Sequence, residues 1–223
     1  MWDNSFKVLY IVTAHLDDFE LSCLAYLFKH VSDYKKIYLL VSSNNNFKDS
    51  VTKANIEEIQ SNLGMCVEYK NFNFQAQKLQ LKFDELKHEI YSTIDWHDRF
   101  DVLTHTNNDL HTDHHAISTI SMGLFKYCEK YIEFYSPSSK NFSPNYFIPM
   151  SDDLYQLKNT CCLRYDIQKD ESYTKMGYYL EDHRNLGKLY TYENHVKYTS
   201  EYFEVYNIKK HIVDKSQIIK RKT

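Results

Sequence analysis

Two short polar runs in this chain carry the residue types that chemistry needs. The first is His15-Leu16-Asp17-Asp18-Phe19-Glu20 and the second is His111-Thr112-Asp113-His114-His115. Adjacent carboxylates repel each other, and each is costly to strip of water. A divalent cation removes both penalties. Neighbouring residues at a turn point in different directions, so one Asp of the pair can ligate an ion while the other faces a water. In the second run, His-x-Asp-His spacing suits one ligating and one catalytic imidazole, with a carboxylate left to orient a ring. Two histidines and one aspartate supply three protein ligands and leave a position open, as in a catalytic rather than a structural zinc site. The competing readings are a helix N-cap at the Asp pair and a solvated run of histidines. Both lose ground because the two runs occur together, each just after an apolar stretch.

Those stretches are the elements that must position the runs. Residues 7–14 (KVLYIVTA) form a near-continuous β-branched and aromatic run, as expected of a strand buried on both faces. The pattern then predicts a helix from residue 19 to about 30 and a strand over 36–41. A polar turn follows at 42–46, then a helix over 50–63 that Gly64 is placed to end. Further strands are expected at 65–69, 101–104, 131–135, 146–150 and 202–206. Helices are expected at 83–96, 116–130, 152–164 and 171–189. Alternation of this kind argues for βα units around a mostly parallel sheet. In such sheets ligands bind at the carboxyl ends of the strands, where both polar runs fall.

With 223 residues the chain suits a single domain, 1–223, ending in a basic tail at about 209–223. The formal net charge of −3 gives no broad basic field for nucleic acid. Five cysteines without CxxC spacing suggest reduced core thiols rather than a disulfide framework or a cysteine zinc site. No run approaches the roughly 20 apolar residues of a membrane span. The first residues lack the plan of a signal peptide, so a cytoplasmic protein is expected.

The two runs, in their context, resemble the PIG-L/LmbE-like family of metal-dependent de-N-acetylases. The first signature stands as Ala14-His15-Leu16-Asp17-Asp18-Phe19-Glu20. The second runs from Thr104-His105 through a polar loop to His111-Thr112-Asp113-His114. Weaker likenesses are Ser143-Pro144-Asn145, Arg164-Tyr165 with Gln168, and the segment from Tyr198 through Glu201 and Phe203. The resemblance implies a Rossmann-like three-layer α/β sandwich, with a mostly parallel sheet and helices on both faces. It implies that His15, Asp18 and His114 ligate Zn2+, with Fe2+ or another divalent ion as alternatives. Asp17 becomes the general base, His111 the group beside the oxyanion, and Asp113 the residue that tunes and orients a histidine. The expected substrate is a small N-acetylated sugar resembling GlcNAc. Alternatives are another N-acyl amide, in an antibiotic or nucleotide sugar, or sugar binding without turnover. A homo-oligomer is compatible with the pattern.

This sequence departs from the family at Leu16, where proline is usual, at Ser22, and at the Ser42–Asn46 stretch, usually glycine-rich. An arginine common in the following helix is missing, with Lys53 as the nearest substitute. Glu20 is expected to support the turn, His105 to be structural and His115 to sit on a solvent-facing helix surface. Arg164, Tyr165 and Gln168 are candidates for either the pocket or packing.

Overall fold

The apolar run after Lys7 forms the strand β1 (Lys7–Thr13), whose residues from Val8 onward are all buried. It pairs in parallel with β2 (Tyr34–Asn44) on one side and β4 (Phe100–His105) on the other. The structure, a computed structural model, describes residues 7–166, 175–193 and 202–211. Strands β3 (Val67–Gln75), β5 (Lys130–Phe134), β6 (Tyr146–Pro149) and β7 (Phe203–His211) complete a seven-stranded sheet in the order β3-β2-β1-β4-β5-β7-β6. Strands β1 to β5 are mutually parallel, while β7 runs antiparallel to both of its neighbours. The chain winds outward through β2 and β3 on one side of β1 and through β4 and β5 on the other. The gap between the ends of β1 and β4 is therefore the topological switch point, where ligands of open α/β sheets bind.

Side chains of a strand alternate between faces, and β1 divides accordingly. Leu9 and Ile11 join a core with α1 (Asp18–Ser22), α2 (Leu24–His30), α3 (Asn46–Leu63) and α6 (Asp152–Leu163). Val8, Tyr10 and Val12 join the opposite core with α4 (Phe83–Thr93) and α5 (Thr112–Met122). This is the expected three-layer arrangement. The last helix, α7 (Lys175–Glu193), adds Met176 and Leu180 to a smaller cluster with Leu21, Cys162 and Tyr165.

Several boundaries differ from the sequence reading, for physical reasons. The helix expected over 19–30 is broken at Cys23 into α1 and α2. The amides of Ala25 and Tyr26 donate to Glu204 Oε2 (2.8 Å) and Tyr206 Oη (3.1 Å) of β7 instead of continuing the helical ladder. The polar turn expected from Ser42 is in part strand. Ser42 Oγ donates to Thr13 O at 3.0 Å and the Ser43 amide to Ala14 O at 2.9 Å, so both serines are buried with partners. α3 starts earlier than expected because Asn45 caps it, accepting from the Lys48 amide. Gly64 ends it with φ of 68°, as its position suggested. α5 begins at Thr112, so the second polar run is the first turn of a helix rather than a loop before one. Strands β3 and β7 are longer than expected. Gln168, Tyr198, Glu201 and most of the basic tail lie outside the described residues.

Candidate active site

Every predicted site residue sits at the carboxyl ends of β1 and β4. Beyond β1, the Ala14 amide donates to His105 Nε2 at 3.1 Å, tying the end of one strand to the last residue of the next. The His15 amide donates to Asp18 Oδ2 at 2.7 Å, which folds the turn and fixes that carboxylate. Asp17 takes the N-cap position of α1 without making a side-chain cap bond. Its role is therefore not the capping that the Asp pair alone would suggest. His111 does cap α5, its Nδ1 accepting from the Asp113 amide at 3.2 Å.

Two carboxylates set which ring nitrogens face inward. Asp113 Oδ2 lies 3.1 Å from His15 Nε2 and also accepts from the Gln77 amide at 2.5 Å, while its Oδ1 accepts from the Leu79 amide at 3.1 Å. Gln77 reaches that bond with φ of 65°, a left-handed conformation unusual for a residue with a side chain. Asp109 Oδ2 lies 3.1 Å from His114 Nδ1, and hydroxyls of Ser136, Ser138 and Ser139 brace the same carboxylate. Each histidine thus gives one N–H to a carboxylate and turns the other nitrogen, a lone pair, inward. Those inward atoms, His15 Nδ1 and His114 Nε2, are 3.0 Å apart. Asp18 oxygens lie 3.6 Å from the first and 3.5 Å from the second. The first distance is to Oδ2 and the second to Oδ1. A tetrahedral ion with bonds near 2.0–2.1 Å separates its donors by about 3.3 Å, so spacings of this size suit a zinc-sized cation. Potential ligand atoms also converge within 4.8 Å in the sets His15, His111, His114 and Asp18, His105, His114. Two facing lone pairs beside a buried carboxylate make a poor arrangement without a positive charge between them.

The electrostatics follow this geometry. Burial pushes the His114 imidazolium down, but the carboxylates of Asp18 and Asp109 outweigh it and raise its pKa to about 10. At neutral pH His114 is thus a cation held between these two carboxylates. Burial would raise Asp18, yet His114 and His105 hold it well below the usual carboxylate range. His105 is fully buried and stacked on His114 with ring centroids 4.0 Å apart. Burial first, and His114 second, push its pKa down to about 4, so it is neutral. Its Nε2 lies 3.1 Å from both the Ala14 amide and Asp18 Oδ2, while its Nδ1 has no partner among the described residues. His111 is lowered by burial and by its neighbours His114 and His15.

A cleft of about 440 Å³ opens over these groups, lined by His15, Asp17, His111, Lys48, Gln77 and residues of α7 among others. Lys48 Nζ forms an ion pair with Asp17. Burial alone would lower that ammonium, but Asp17 raises it. Lys53, the expected substitute for the missing arginine, instead pairs with Asp49 at 2.7 Å and is exposed. Glu20 and Tyr165 lie beneath the turn. The Tyr165 hydroxyl is 2.8 Å from Leu16 O and 2.7 Å from Glu20 Oε1, which also accepts from Asn55 at 2.8 Å. Arg164 holds Asn55 and Glu58. These residues brace the turn rather than line the cleft. His115 is exposed, against the Asn107 carbonyl.

Sequence reasoning missed Asp109, Lys48, Gln77 and the α7 wall. Asp109 closes the polar loop before His111, and an Asp two residues before a His motif was a usable signal. Lys48, Gln77 and α7 reach the cleft only through tertiary packing. Among the described residues no helix is long and apolar enough to cross a membrane.

Comparison with known proteins adds an independent line. Residues 10–125, which contain both polar runs, match PIG-L, described as GlcNAc-PI de-N-acetylase. No curated protein sequence matches the chain. Solved structures do. A conserved protein from Thermus thermophilus superposes with a TM-score of 0.64 at 16% identity, covering 94% of this chain and 97% of that one. The N,N'-diacetylchitobiose deacetylase of Pyrococcus horikoshii gives 0.61 at 15% identity, covering 98% and 92%. The 4-carboxy-2-hydroxymuconate hydratase GalB of Pseudomonas putida gives 0.65 at 12% identity, covering 94% and 99%. At these identities the likeness is one of fold, and the fold serves more than one chemistry.

Proposed function

The chain belongs to the PIG-L, GlcNAc-PI de-N-acetylase, family, and from that premise we propose that it is a metal-dependent amidohydrolase removing an N-acetyl group from an amino sugar. The observation that carries this reading is the triangle of His15 Nδ1, His114 Nε2 and Asp18, with both rings oriented by carboxylates and Asp17 at the same turn. His15, Asp18 and His114 hold the divalent ion, zinc in the first instance. When bound, the ion supplies Lewis acidity, bringing a water's pKa toward about 7 and polarising the amide carbonyl.

The chain's own residues do the rest. Asp17, held at the cleft by Lys48, takes a proton from the attacking water. His111 accepts from the Asp113 amide through Nδ1, so its neutral ring keeps the proton on Nε2. With its pKa held down, it meets the developing oxyanion as an uncharged N–H donor. A donor of this kind is worth roughly 2.7–4 kcal/mol in the transition state. Asp17 then passes its proton to the leaving amine, and the products are acetate and a free amino group. Asp113 orients His15 and acts through that ring.

The test is metal analysis of the purified protein together with a panel of N-acetylated sugars and acylated glycosides, following acetate or acid release. Acetate from an N-acetyl sugar, abolished by chelation and restored by metal, is the expected result. Sugar binding by metal-replete protein without any release would overturn the hydrolase reading and leave a binding module. Release from a longer-chain N-acyl glycoside alone would move the substrate to an acylated antibiotic or similar amide.

A further inference from the structure

The last helix, α7, is a wall of the cleft, contributing Met176, Tyr178, Tyr179 and Asp182. Its own docking rests on a buried stripe. Met176, Leu180 and His183, at i, i+4 and i+7, are all buried. Met176 and Leu180 pack with Leu21, Cys162 and Tyr165. The polar member of the stripe is His183. Its Nε2 has no partner among the described residues, and its ring stands edge-on to Tyr135 at 5.2 Å.

The groups around that ring leave no place for a second positive charge. His183 shares a void of about 10 Å³ with Tyr155 and Lys158 of α6 and with Tyr202 before β7. That is the room of a single water at most. Lys158 is buried, with Nζ 2.6 Å from Glu204 Oε1 at the start of β7. The same carboxylate also takes the Ala25 amide and the Tyr206 hydroxyl. On α7 itself, Asp182 accepts from the Tyr135 hydroxyl at 3.1 Å, and Arg184 lies over the Tyr202 ring at 5.3 Å. Burial first, and the charge of Lys158 second, hold the His183 imidazole well below its ordinary range. A proton on His183 sets a second cation beside Lys158 in a hollow too small to hydrate it.

We propose that α7 is a pH-gated wall of the cleft, docked while His183 is neutral and released when His183 takes a proton. The docked helix binds fewer protons than the released one, so docking is lost as pH falls through the ordinary imidazole value. With that value near 6.5, the released fraction rises about tenfold between pH 7.5 and 5.5. Glu20, pushed up to about 7, titrates in the same window with the opposite sign, so it does not imitate this loss. Leu21, which packs on Met176 and Leu180, stands three residues beyond Asp18. Release therefore also uncovers the short helix that follows the first polar run. Whatever the cleft binds, acid removes one of its walls.

The test is hydrogen exchange of the full chain, read by mass spectrometry between pH 7.5 and 5.5 and corrected for the intrinsic rate. Residues 175–193 are compared with α4 as an internal reference. Wild type is expected to lose about tenfold in protection over 175–193 on acidification, with α4 steady within about twofold. Two variants remove the titrating ring. His183→Gln keeps a polar side chain, and His183→Phe keeps the edge contact with Tyr135. Both are expected to hold their protection over 175–193 within about twofold across the same range. No loss in wild type overturns the gate. So does an equal loss in α4, which reads general unfolding, or an equal loss in either folded variant, which places the titrating group elsewhere.

Discussion

Asp109→Asn isolates the orientation of the proposed ligand His114 from the ligand itself. Asp109 Oδ2 faces His114 Nδ1 at 3.1 Å, and Oδ1 accepts from the His111 amide at 2.8 Å and from Ser138 at 2.6 Å. Asparagine keeps the shape but must give one of those positions to an NH2. Facing His114, the amide nitrogen meets a donor; flipped, it meets the His111 N–H. Either way one buried donor loses its acceptor, a cost of about 1–3 kcal/mol. Removing such an outer partner typically weakens metal binding 10–100-fold, which is about 1.4–2.8 kcal/mol. The two figures agree, so a zinc Kd raised 10–100-fold is expected in competition with a chromophoric chelator at neutral pH. The pH dependence has a definite sign. In the ion-free protein Asp18 and Asp109 hold His114 at about 10, so proton and ion compete for it. Apparent affinity rises with pH up to that value, and the variant shifts the inflection downward. A folded variant that binds zinc within threefold of wild type would show that Asp109 does not set the His114 ring, and the ligand assignment would fall with it.

Three other perturbations test separate parts of the argument. Asp17→Ala is expected to retain its metal by elemental analysis and to lose roughly 10²–10⁴-fold in kcat; full activity would remove Asp17 as the base. Glu20 is buried, with Oε2 unpartnered among the described residues, and burial pushes its pKa up to about 7 from an ordinary 4.5. A carboxyl raised on folding contributes stability below its unfolded pKa and loses it as pH rises through the folded value. Wild type should therefore lose on the order of 3 kcal/mol relative to Glu20→Gln between pH 4.5 and 7, read by denaturant titration; parallel curves would refute it. At Gly123 a Cβ would stand 1.8 Å from the Tyr91 hydroxyl oxygen, which donates to Ile120 O at 3.1 Å. Gly123→Ala should cost about 1–3 kcal/mol, largely recovered by adding Tyr91→Phe, and an unchanged Tm in the single variant would contradict the close approach.

The parts of the fold legible in the sequence are those decided locally. A strand buried on both faces must be apolar throughout, and β1 is. The ligands follow it directly because a strand end and a helix start are the same short turn. What was not legible depends on partners far along the chain. The break at Cys23 exists because Glu204 and Tyr206, some 180 residues later, take two helix amides. Ser42 and Ser43 read as a turn, since their burial rests on carbonyls of the neighbouring strand. Lys48 rather than Lys53 reaches Asp17 because Asn45 starts α3 early. Gln77 is an ordinary loop residue until Asp113 demands its amide at a positive φ.

The precision of the site is inherited from the pairing of β1 with β4. Val12 stands opposite Thr104, whose hydroxyl donates to Val12 O at 3.0 Å, and the Ala14 amide closes onto His105 Nε2. One residue of slip along that pair displaces one strand end by about 3.3 Å, whereas metal–ligand distances tolerate roughly 0.2 Å. His105 is thus a register peg. It is buried, neutral and stacked on His114, so it joins the end of β1 to the imidazole that β4 and α5 deliver. Two polar runs nearly a hundred residues apart meet at one site because adjacent parallel strands bring them to the same edge. Three carboxylates, Asp18 on the His15 amide, Asp113 on the His15 ring and Asp109 on the His114 ring, then fix the side chains at that shared edge.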